Sequence, residues 1–179
     1  NIYPKLLSIY NYKNFEASKI VLNNNKILLS DSNFKIFIYY IYNIKKKLSF
    51  KNSNLKINRK KILLLNLEKI YFSNYGYNKN IVTGEIFEKK FKILTSDNYN
   101  KINFRLLKTG ITADIDFNEI KNKSFISGIF RSTLLNSKLK FNFDYDEKKL
   151  KIYNSYFRSK DLSFKSENTI TLHPFFHLN

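Results

Sequence analysis

The sequence predicts a mostly β fold, built on a wide antiparallel sheet, with one or two short helices in the N-terminal 50 residues. Apolar and polar residues alternate with period two, most clearly from Lys138 to Tyr145, as in strands with one buried face. Turn-like segments recur about every 8 to 12 residues, which favours a meander of strands over βαβ units. Gly84 and Gly128 fall inside predicted strands. Glycine there marks a bulge or a sharp bend, which would help a wide sheet to curl.

The N-terminal segment is predicted to contain a helical turn, a hairpin and an apolar stretch. Residues 1–14 open with a short apolar run that suggests one helical turn. Glu16–Leu22 and Lys26–Ser30 are predicted strands, and the three asparagines between them favour a hairpin turn because asparagine tolerates left-handed backbone. Ile and Tyr favour a further strand from Asn33 to about Tyr39. A helical turn that ends in three lysines is expected next, since cations suit a helix C-terminus.

From Leu48 onward the chain is predicted to be almost continuous strand. The predicted strands are Leu48–Ile57, Ile62–Leu67, Lys69–Ser73, Asn80–Phe87, Lys90–Leu94, Lys101–Leu107, Ile111–Phe117, Phe125–Phe130 and Leu134–Phe143. Alternation then resumes at Leu150 and Ile152, at Leu162 and Phe164, and at Ile170 and Leu172, which predicts three further strands. Four glycines and two prolines are too few for a flexible linker, so residues 1–179 are predicted to be one β-rich segment.

The composition limits the classes of protein to consider. The chain lacks cysteine, which excludes disulfides and thiolate metal sites. It also lacks methionine and begins at Asn1, so we interpret it as an excerpt of a longer protein. No stretch reaches the roughly 18 apolar residues of a membrane helix, so any signal or anchor is expected outside this segment.

The net charge of +18 fits a partner that carries phosphates, either nucleic acid or an anionic lipid surface. The lysines are spread along the chain, and Asn, Ile, Phe and Tyr are abundant too. A genome rich in A and T is therefore the favoured explanation of the charge.

No catalytic, metal or cofactor site is predicted. His173 and His177 flank Pro174, which disfavours the helix on which their spacing would bring two metal ligands together. Asp114 and Asp116 share one strand face opposite apolar residues, so they are interpreted as its solvated side rather than as a catalytic acid pair. The sequence also lacks a glycine-rich phosphate loop and a nucleophile elbow, and an enzyme is not expected.

A similar alternation of apolar and polar residues recurs in the predicted strands from Asn80 to Phe176. It is carried by Gly84–Phe87 with Phe91, Leu107–Ile111 with Ala113, Ile115 and Phe117, Gly128–Phe130, Leu139–Tyr145, Leu150–Asn154, Leu162–Phe164, and Ile170–Leu172 with Pro174–Phe176. Residues 80–176 thereby resemble the AsmA-like family of bacterial envelope proteins. Glu16–Phe72 is similar more loosely, through its rhythm of strand, turn and strand. This family is marked by its alternation and has no invariant catalytic signature.

The resemblance implies a long, strongly twisted sheet curled into a groove with an apolar inside. It also implies a non-enzymatic, lipid-handling protein of the bacterial envelope, on the periplasmic side of the inner membrane, that serves phospholipid transport and outer-membrane biogenesis. The implied partners are phospholipid, the inner membrane through an anchor outside this segment, and other envelope proteins. The residues assigned to the groove lining are Phe104, Leu106, Ile115, Phe117, Leu139, Phe141, Phe143, Leu150, Ile152, Leu162, Phe164, Ile170 and Leu172.

Three alternatives stay open at this point. The same apolar residues would also form an ordinary core, closed by a second sheet or a helix, because patterning fixes faces and not what covers them. A basic nucleic-acid-binding β protein is the alternative function, although its aromatic residues mostly share a face with Leu and Ile rather than with Lys. A membrane β-barrel ranks third, because Phe and Tyr occur in mid-strand and not in girdles at strand ends.

Overall fold

The structure is a computed structural model of the chain, and it describes residues 1–5, 17–59, 62–98, 100–118, 125–146, 149–171 and 177–178. Within these ranges the chain is mostly strand with one α-helix, and it forms two compact units, Asn1–Lys92 and Ile93–Asn179. Most strand pairs are antiparallel and the sheet is open. The predicted fold class, mostly β on an open antiparallel sheet with a short N-terminal helix, is confirmed.

The first unit combines a sheet with the described helix. Its elements are β1 (Ile2–Pro4), β2 (Ala17–Asn23), β3 (Lys26–Ser30), α1 (Asp31–Asn43), β4 (Lys47–Arg59), β5 (Ile62–Ser73) and β6 (Ile81–Ile86). The strand order is β1-β2-β4-β5-β6, and β3 pairs with β4. β7 (Lys89–Thr95) contains the boundary between the two units. A helical turn was predicted within residues 1–14, most of which lie outside the described residues. The described residues 1–5 contain the strand β1.

β2 and β3 are not the predicted hairpin, because both pair in parallel with β4. Asn24 has a φ of 53°, and its N–H donates to the carbonyl of Lys51 at 3.0 Å. The carbonyl of Asn25 accepts from the N–H of Asn54 at 2.8 Å. The ladder therefore continues through the asparagines. The left-handed residue interrupts the strand locally without reversing the chain, which is why the prediction was wrong.

α1 replaces the predicted strand from Asn33 to Tyr39. Ser30 caps the helix, because its hydroxyl accepts from the N–H of Asn33 at 3.2 Å. Phe34 and Phe37, spaced for one helix face, pack on buried residues of the sheet. An all-apolar run hides this period, so the prediction failed there. β3, α1 and β4 form a parallel crossover, which precedes the segment from Leu48 for which a meander was predicted. Within the first unit β4, β5 and β6 pair in sequence order, as in a meander.

The first unit has a conventional core under α1. Its centre is Leu55 and Ile57 of β4 with Ile70 of β5, each about 6–7 % exposed. Phe37 of the helix stacks on Phe50, with ring centroids 6.3 Å apart. One face of this sheet is therefore sealed by the chain itself, as the closed-core alternative supposes.

The second unit is a run of antiparallel strands in sequence order. Its strands are β8 (Lys101–Leu106), β9 (Ile111–Phe117), β10 (Phe125–Leu134), β11 (Ser137–Asp146), β12 (Lys149–Arg158), β13 (Ser163–Thr171) and β14 (His177–Leu178). Leu134 ends β10 instead of starting the next strand, because Leu135, at a φ of 57°, makes the turn. Phe164 and Ile170 belong to one strand, β13, where two strands were predicted.

Gly128, where a bulge or a sharp bend was predicted, lies in a regular part of the ladder and is not at a bulge. It stands opposite Phe117 on β9 and Phe143 on β11 without a register shift. A Cβ at this position would lie 2.5 Å from the carbonyl oxygen of Asp116 and 3.0 Å from the Phe143 ring. Glycine is required here because the Asp116 carbonyl first, and then the Phe143 ring, occupy the space of a side chain.

Gly84 stands beside a bulge, but the bulge is in the neighbouring strand. The register between β5 and β6 shifts between Glu68 and Tyr71, where Lys69 has a φ of 49°. A Cβ on Gly84 would lie 2.9 Å from both the Glu68 carbonyl oxygen and the Phe91 ring. Ile62–Leu67 and Lys69–Ser73, predicted as separate strands, are thus one bulged strand, β5.

Candidate apolar binding face

The registers of the second unit bring all but two of the predicted lining residues onto one side of the sheet. We call this side the apolar face. Its predicted members are Phe104, Leu106, Ile115, Phe117, Leu139, Phe141, Phe143, Leu150, Ile152, Phe164 and Ile170. Leu162 lies just before β13 in a turn closed by its N–H, which donates to the Ser159 hydroxyl at 3.1 Å. Leu172 lies outside the described residues.

Directly paired residues form rows across the strands of the apolar face, because paired side chains point to the same side of a sheet. One row runs Phe104, Ala113, Ser132, Leu139, Phe157 and Phe164. The rings of Phe157 and Phe164 stack with centroids 5.1 Å apart. In the adjacent row Phe130 and Phe141 stack at 4.8 Å. Phe117 and Phe143 meet edge to face at 6.2 Å in the third row. The rows join into an apolar surface across β8 to β11. On β12 and β13 the polar residues Ser155, Ser166 and Asn168 lie on the same side, between the apolar pairs Phe157–Phe164 and Leu150–Ile170.

Several further members of the apolar face were not assigned to the groove lining from the sequence, although the alternation placed Ile111, Ala113 and Tyr145 on apolar strand faces. They are Ile102, Ile111, Ala113, Ile126, Phe130, Tyr145 and Phe157. Phe157 is five residues after Ile152, an odd spacing that should place the two on opposite faces. A bulge between Ile152 and Ser155, with Asn154 at a φ of 50°, restores Phe157 to the apolar face. The asparagine was the available signal, because this residue tolerates a left-handed backbone.

The apolar face is not sealed by the described residues. Its predicted members are half-buried, and Phe164 is 49 % exposed. The fully buried apolar side chains of the described chain all belong to residues 1–92. In the described part of the second unit, the strands pack beside their sheet neighbours and no helix covers them.

The opposite side of this sheet is polar and internally paired. Asp114 accepts a hydrogen bond from the Asn103 amide, and Asp116 forms an ion pair with Arg131. The two aspartates have separate partners, as expected for a solvated side. The Tyr153 hydroxyl donates to Asp144 at 3.3 Å. Burial first and then the Asp144 charge raise the pKa of the Tyr153 phenol.

The prediction that His173 and His177 do not form a metal site stays a prediction. His173 lies outside the described residues, and the structure describes only the backbone of His177. Among the described residues, no group of three or more His, Cys, Asp or Glu side chains is arranged to hold a metal ion.

Comparisons with family models, curated proteins and solved structures return no match for this chain. In the part of the chain that the structure describes, no helix has the length and apolarity to cross a membrane.

Proposed function

We propose that the chain handles lipid without catalysis, by sheltering phospholipid acyl chains on the apolar face of its second unit. The observation that carries this proposal is the wide, mainly apolar surface of the unit, which no described residue of the unit covers. Large apolar patches on a protein surface mark sites for a partner, a ligand or a membrane. Together with the AsmA-like alternation, this supports a place in phospholipid transport in the bacterial envelope, on the periplasmic side of an inner membrane reached through an anchor elsewhere.

The dimensions of the apolar face suit an acyl chain. The row from Phe104 on β8 to Phe164 on β13 crosses five strand spacings, or about 24 Å at ~4.8 Å each. The tails of one leaflet reach about 15 Å, half of a ~30 Å hydrocarbon core. A chain laid along one row would therefore remain on the apolar face over its whole length.

The lining of the apolar face suits non-selective burial of an acyl chain better than selective binding of one ligand. Each buried methylene contributes about 0.8 kcal/mol, so leaving a sixteen-carbon chain in water costs on the order of 10 kcal/mol. Apolar contact is non-directional, and the rows consist mainly of Phe, Leu and Ile. Such a lining would lower the cost of exposing a tail without holding the lipid at one position.

A nucleic-acid partner is less well supported by this geometry. Strand alternation puts Lys138, Lys140 and Arg158 on the polar side, opposite the stacked phenylalanines. Proteins that bind single strands combine aromatic stacking and backbone contacts on one surface. The stacked phenylalanines are thus on the other side of the sheet from these cations, and the aromatic residues that share the polar side with lysine are Tyr153 and Tyr156.

Native mass spectrometry of the purified full chain tests the proposal. We expect adducts with the masses of phospholipids after mild purification, and their return when a delipidated sample is mixed with phospholipid. Recovery free of lipid, no uptake on mixing, and tight salt-sensitive binding to random RNA would together contradict the proposal and favour the basic nucleic-acid-binding alternative.

A further inference from the structure

The first unit contains a polar cleft on the sheet face away from α1. Phe50 and Phe72 point toward the helix side of the sheet, so the alternating residues Ser49, Lys51 and Ser73 point to the other side. On that side a cleft of about 430 Å³ opens. Its polar lining residues are Ser49, Lys51, Tyr71, Ser73, Tyr75, Asn78, Thr83 and Lys92, and Phe50, Phe72 and Ile81 complete the lining.

Hydroxyl groups are gathered in this cleft by strand pairing. Ser49 stands opposite Ser73, and Tyr71 stands opposite Thr83. The Tyr75 hydroxyl approaches the Ser49 hydroxyl at 3.5 Å, and Ser49 is only 4 % exposed. The Ser73 hydroxyl already donates to the carbonyl of Tyr75 at 2.8 Å. Hydroxyls rotate to suit an acceptor, so the hydroxyls of Tyr71, Tyr75 and Thr83 are the donors available to a bound group.

The cleft is also strongly cationic. The first unit holds 18 Lys and Arg against five Asp and Glu, whereas the second holds 14 against nine, so most of the net positive charge of the chain lies in the first unit. The Nζ atoms of Lys19 and Lys47 lie 5.3 and 5.9 Å from the centre of the Tyr75 ring. Lys51 and Lys92 are in the lining itself, and none of the described lining residues is acidic.

Glu68 and Glu85 stand opposite each other on this side of the sheet, and both have partners. Glu68 accepts a hydrogen bond from the Asn66 amide at 2.7 Å. Glu85 lies two residues beyond Thr83 on β6 and forms an ion pair with Lys69 at 2.8 Å. The cations keep the surroundings of Tyr75 favourable to negative charge. The hydrogen bond with Ser49 first, and then Lys19 and Lys51, hold the pKa of the Tyr75 phenol below its usual value.

We propose that this cleft binds a phosphate group, carried either by a small phosphorylated molecule or by a phospholipid headgroup. Lysine ammonium groups with several hydroxyl donors match a phosphate, which carries negative charge and accepts hydrogen bonds through each of its oxygens. The proposal concerns the first unit alone and does not depend on the apolar face.

Titration of the full chain with inorganic phosphate and with glycerol 3-phosphate, followed by NMR at low ionic strength, tests this site. We expect saturable shifts at Ser49, Tyr75 and Thr83. The double variant Lys51→Gln/Lys92→Gln should bind at least about tenfold more weakly, because charge-assisted hydrogen bonds are lost. The control Lys26→Gln/Lys56→Gln changes the charge equally at exposed positions on β3 and β4 outside the cleft, and it should bind as the parent does.

The titration of Tyr75 gives a second readout. A bound anion disfavours the phenolate, so glycerol 3-phosphate should raise the pKa of Tyr75, followed with ¹³C-labelled tyrosine and assigned with Tyr75→Phe. Equal weakening by the cleft and control variants, or an unchanged Tyr75 pKa at saturation, would overturn the site.

Vesicles separate the two sources of the phosphate. Binding to phosphatidylglycerol vesicles that requires Lys51 and Lys92, with no response to glycerol 3-phosphate, assigns the site to a headgroup. A response to glycerol 3-phosphate without such vesicle binding assigns it to a small molecule. Absence of both overturns the proposal. Phe141→Asp, on the apolar face, should leave the glycerol 3-phosphate affinity unchanged, so failure of this site is distinguishable from failure of the proposed function.

Discussion

The substitution Phe141→Asp places a carboxylate at the centre of the apolar face. Phe141 stacks on Phe130 at 4.8 Å and meets Phe143 at 6.5 Å, and it is half-buried without any lipid. Full burial of a Phe side chain contributes about 1.5–3 kcal/mol, and a lipid would supply the part that the fold leaves exposed. Loss of that contact and desolvation of the new carboxylate should together cost at least about 2 kcal/mol of lipid binding, a weakening of about 30-fold.

Asn142→Asp is the matched control for this substitution. It introduces the same carboxylate and the same change in charge one residue away, but on the polar side, where Asn142 pairs with Ile129 and Tyr153. The assay is displacement of a fluorescent fatty acid by phospholipid, with circular dichroism to verify folding. Phe141→Asp should lose affinity, and Asn142→Asp should keep it within about twofold, as is usual for surface changes. Equal affinities in two folded variants would refute an acyl-chain site on the apolar face.

The remaining predictions concern stability. Gly128→Ala should destabilise the fold by about 3 kcal/mol, because the new Cβ meets a backbone carbonyl that cannot move freely. Gly76→Ala, at a φ of 75° in open space, should cost only about 1 kcal/mol of backbone strain. Thermal unfolding of both variants measures the difference, and equal losses would contradict the packing at Gly128. Ser30→Ala should cost about 1 kcal/mol through loss of the α1 cap, and an unchanged free energy of unfolding in urea would argue against that cap. The hydrogen bond with Glu85 and its charge raise the pKa of Lys69 above its ordinary 10.5, so the contribution of this pair is present below that pH and disappears as the pH rises through the higher folded value. Denaturation at several alkaline pH values should show Glu85→Gln converging with the parent, and a constant difference would contradict the pairing.

Where one face of a strand is apolar and the other polar, the sequence was sufficient to locate the element. Ile111–Phe117 was predicted with the observed bounds, because Ile, Ala, Ile and Phe alternate there with Thr and Asp. The same alternation placed most of the lining residues on one face, since antiparallel pairing preserves the side to which opposite residues point.

The N-terminal failures have a different cause. Residues 33–43 are apolar at almost every position, so period two and period 3.6 fit equally, and the cap at Ser30 was the deciding signal. The run of asparagines at 23–25 fits a chain reversal as well as a local interruption. Only the long partner strand β4, which pairs with both β2 and β3, decides between them.

Coverage of an apolar face depends on tertiary structure and could not be predicted. The first and second units show similar alternation, yet α1 seals the face of the first, and the described residues of the second leave theirs accessible. The polar cleft was missed for a related reason. Its lysines and hydroxyls come from four separate parts of the chain, and strand pairing brings them together.

The most direct test of the proposed function is paramagnetic broadening of isoleucine methyl signals by a phospholipid spin-labelled in its acyl chain. Ile115 and Ile152 lie on the apolar face, and Ile129 lies in the same sheet but on the polar side, between Asp116 and Asn142. The proposal predicts stronger broadening of the Ile115 and Ile152 methyls than of the Ile129 methyls. Equal broadening of the three signals, or none at saturating lipid, would contradict it.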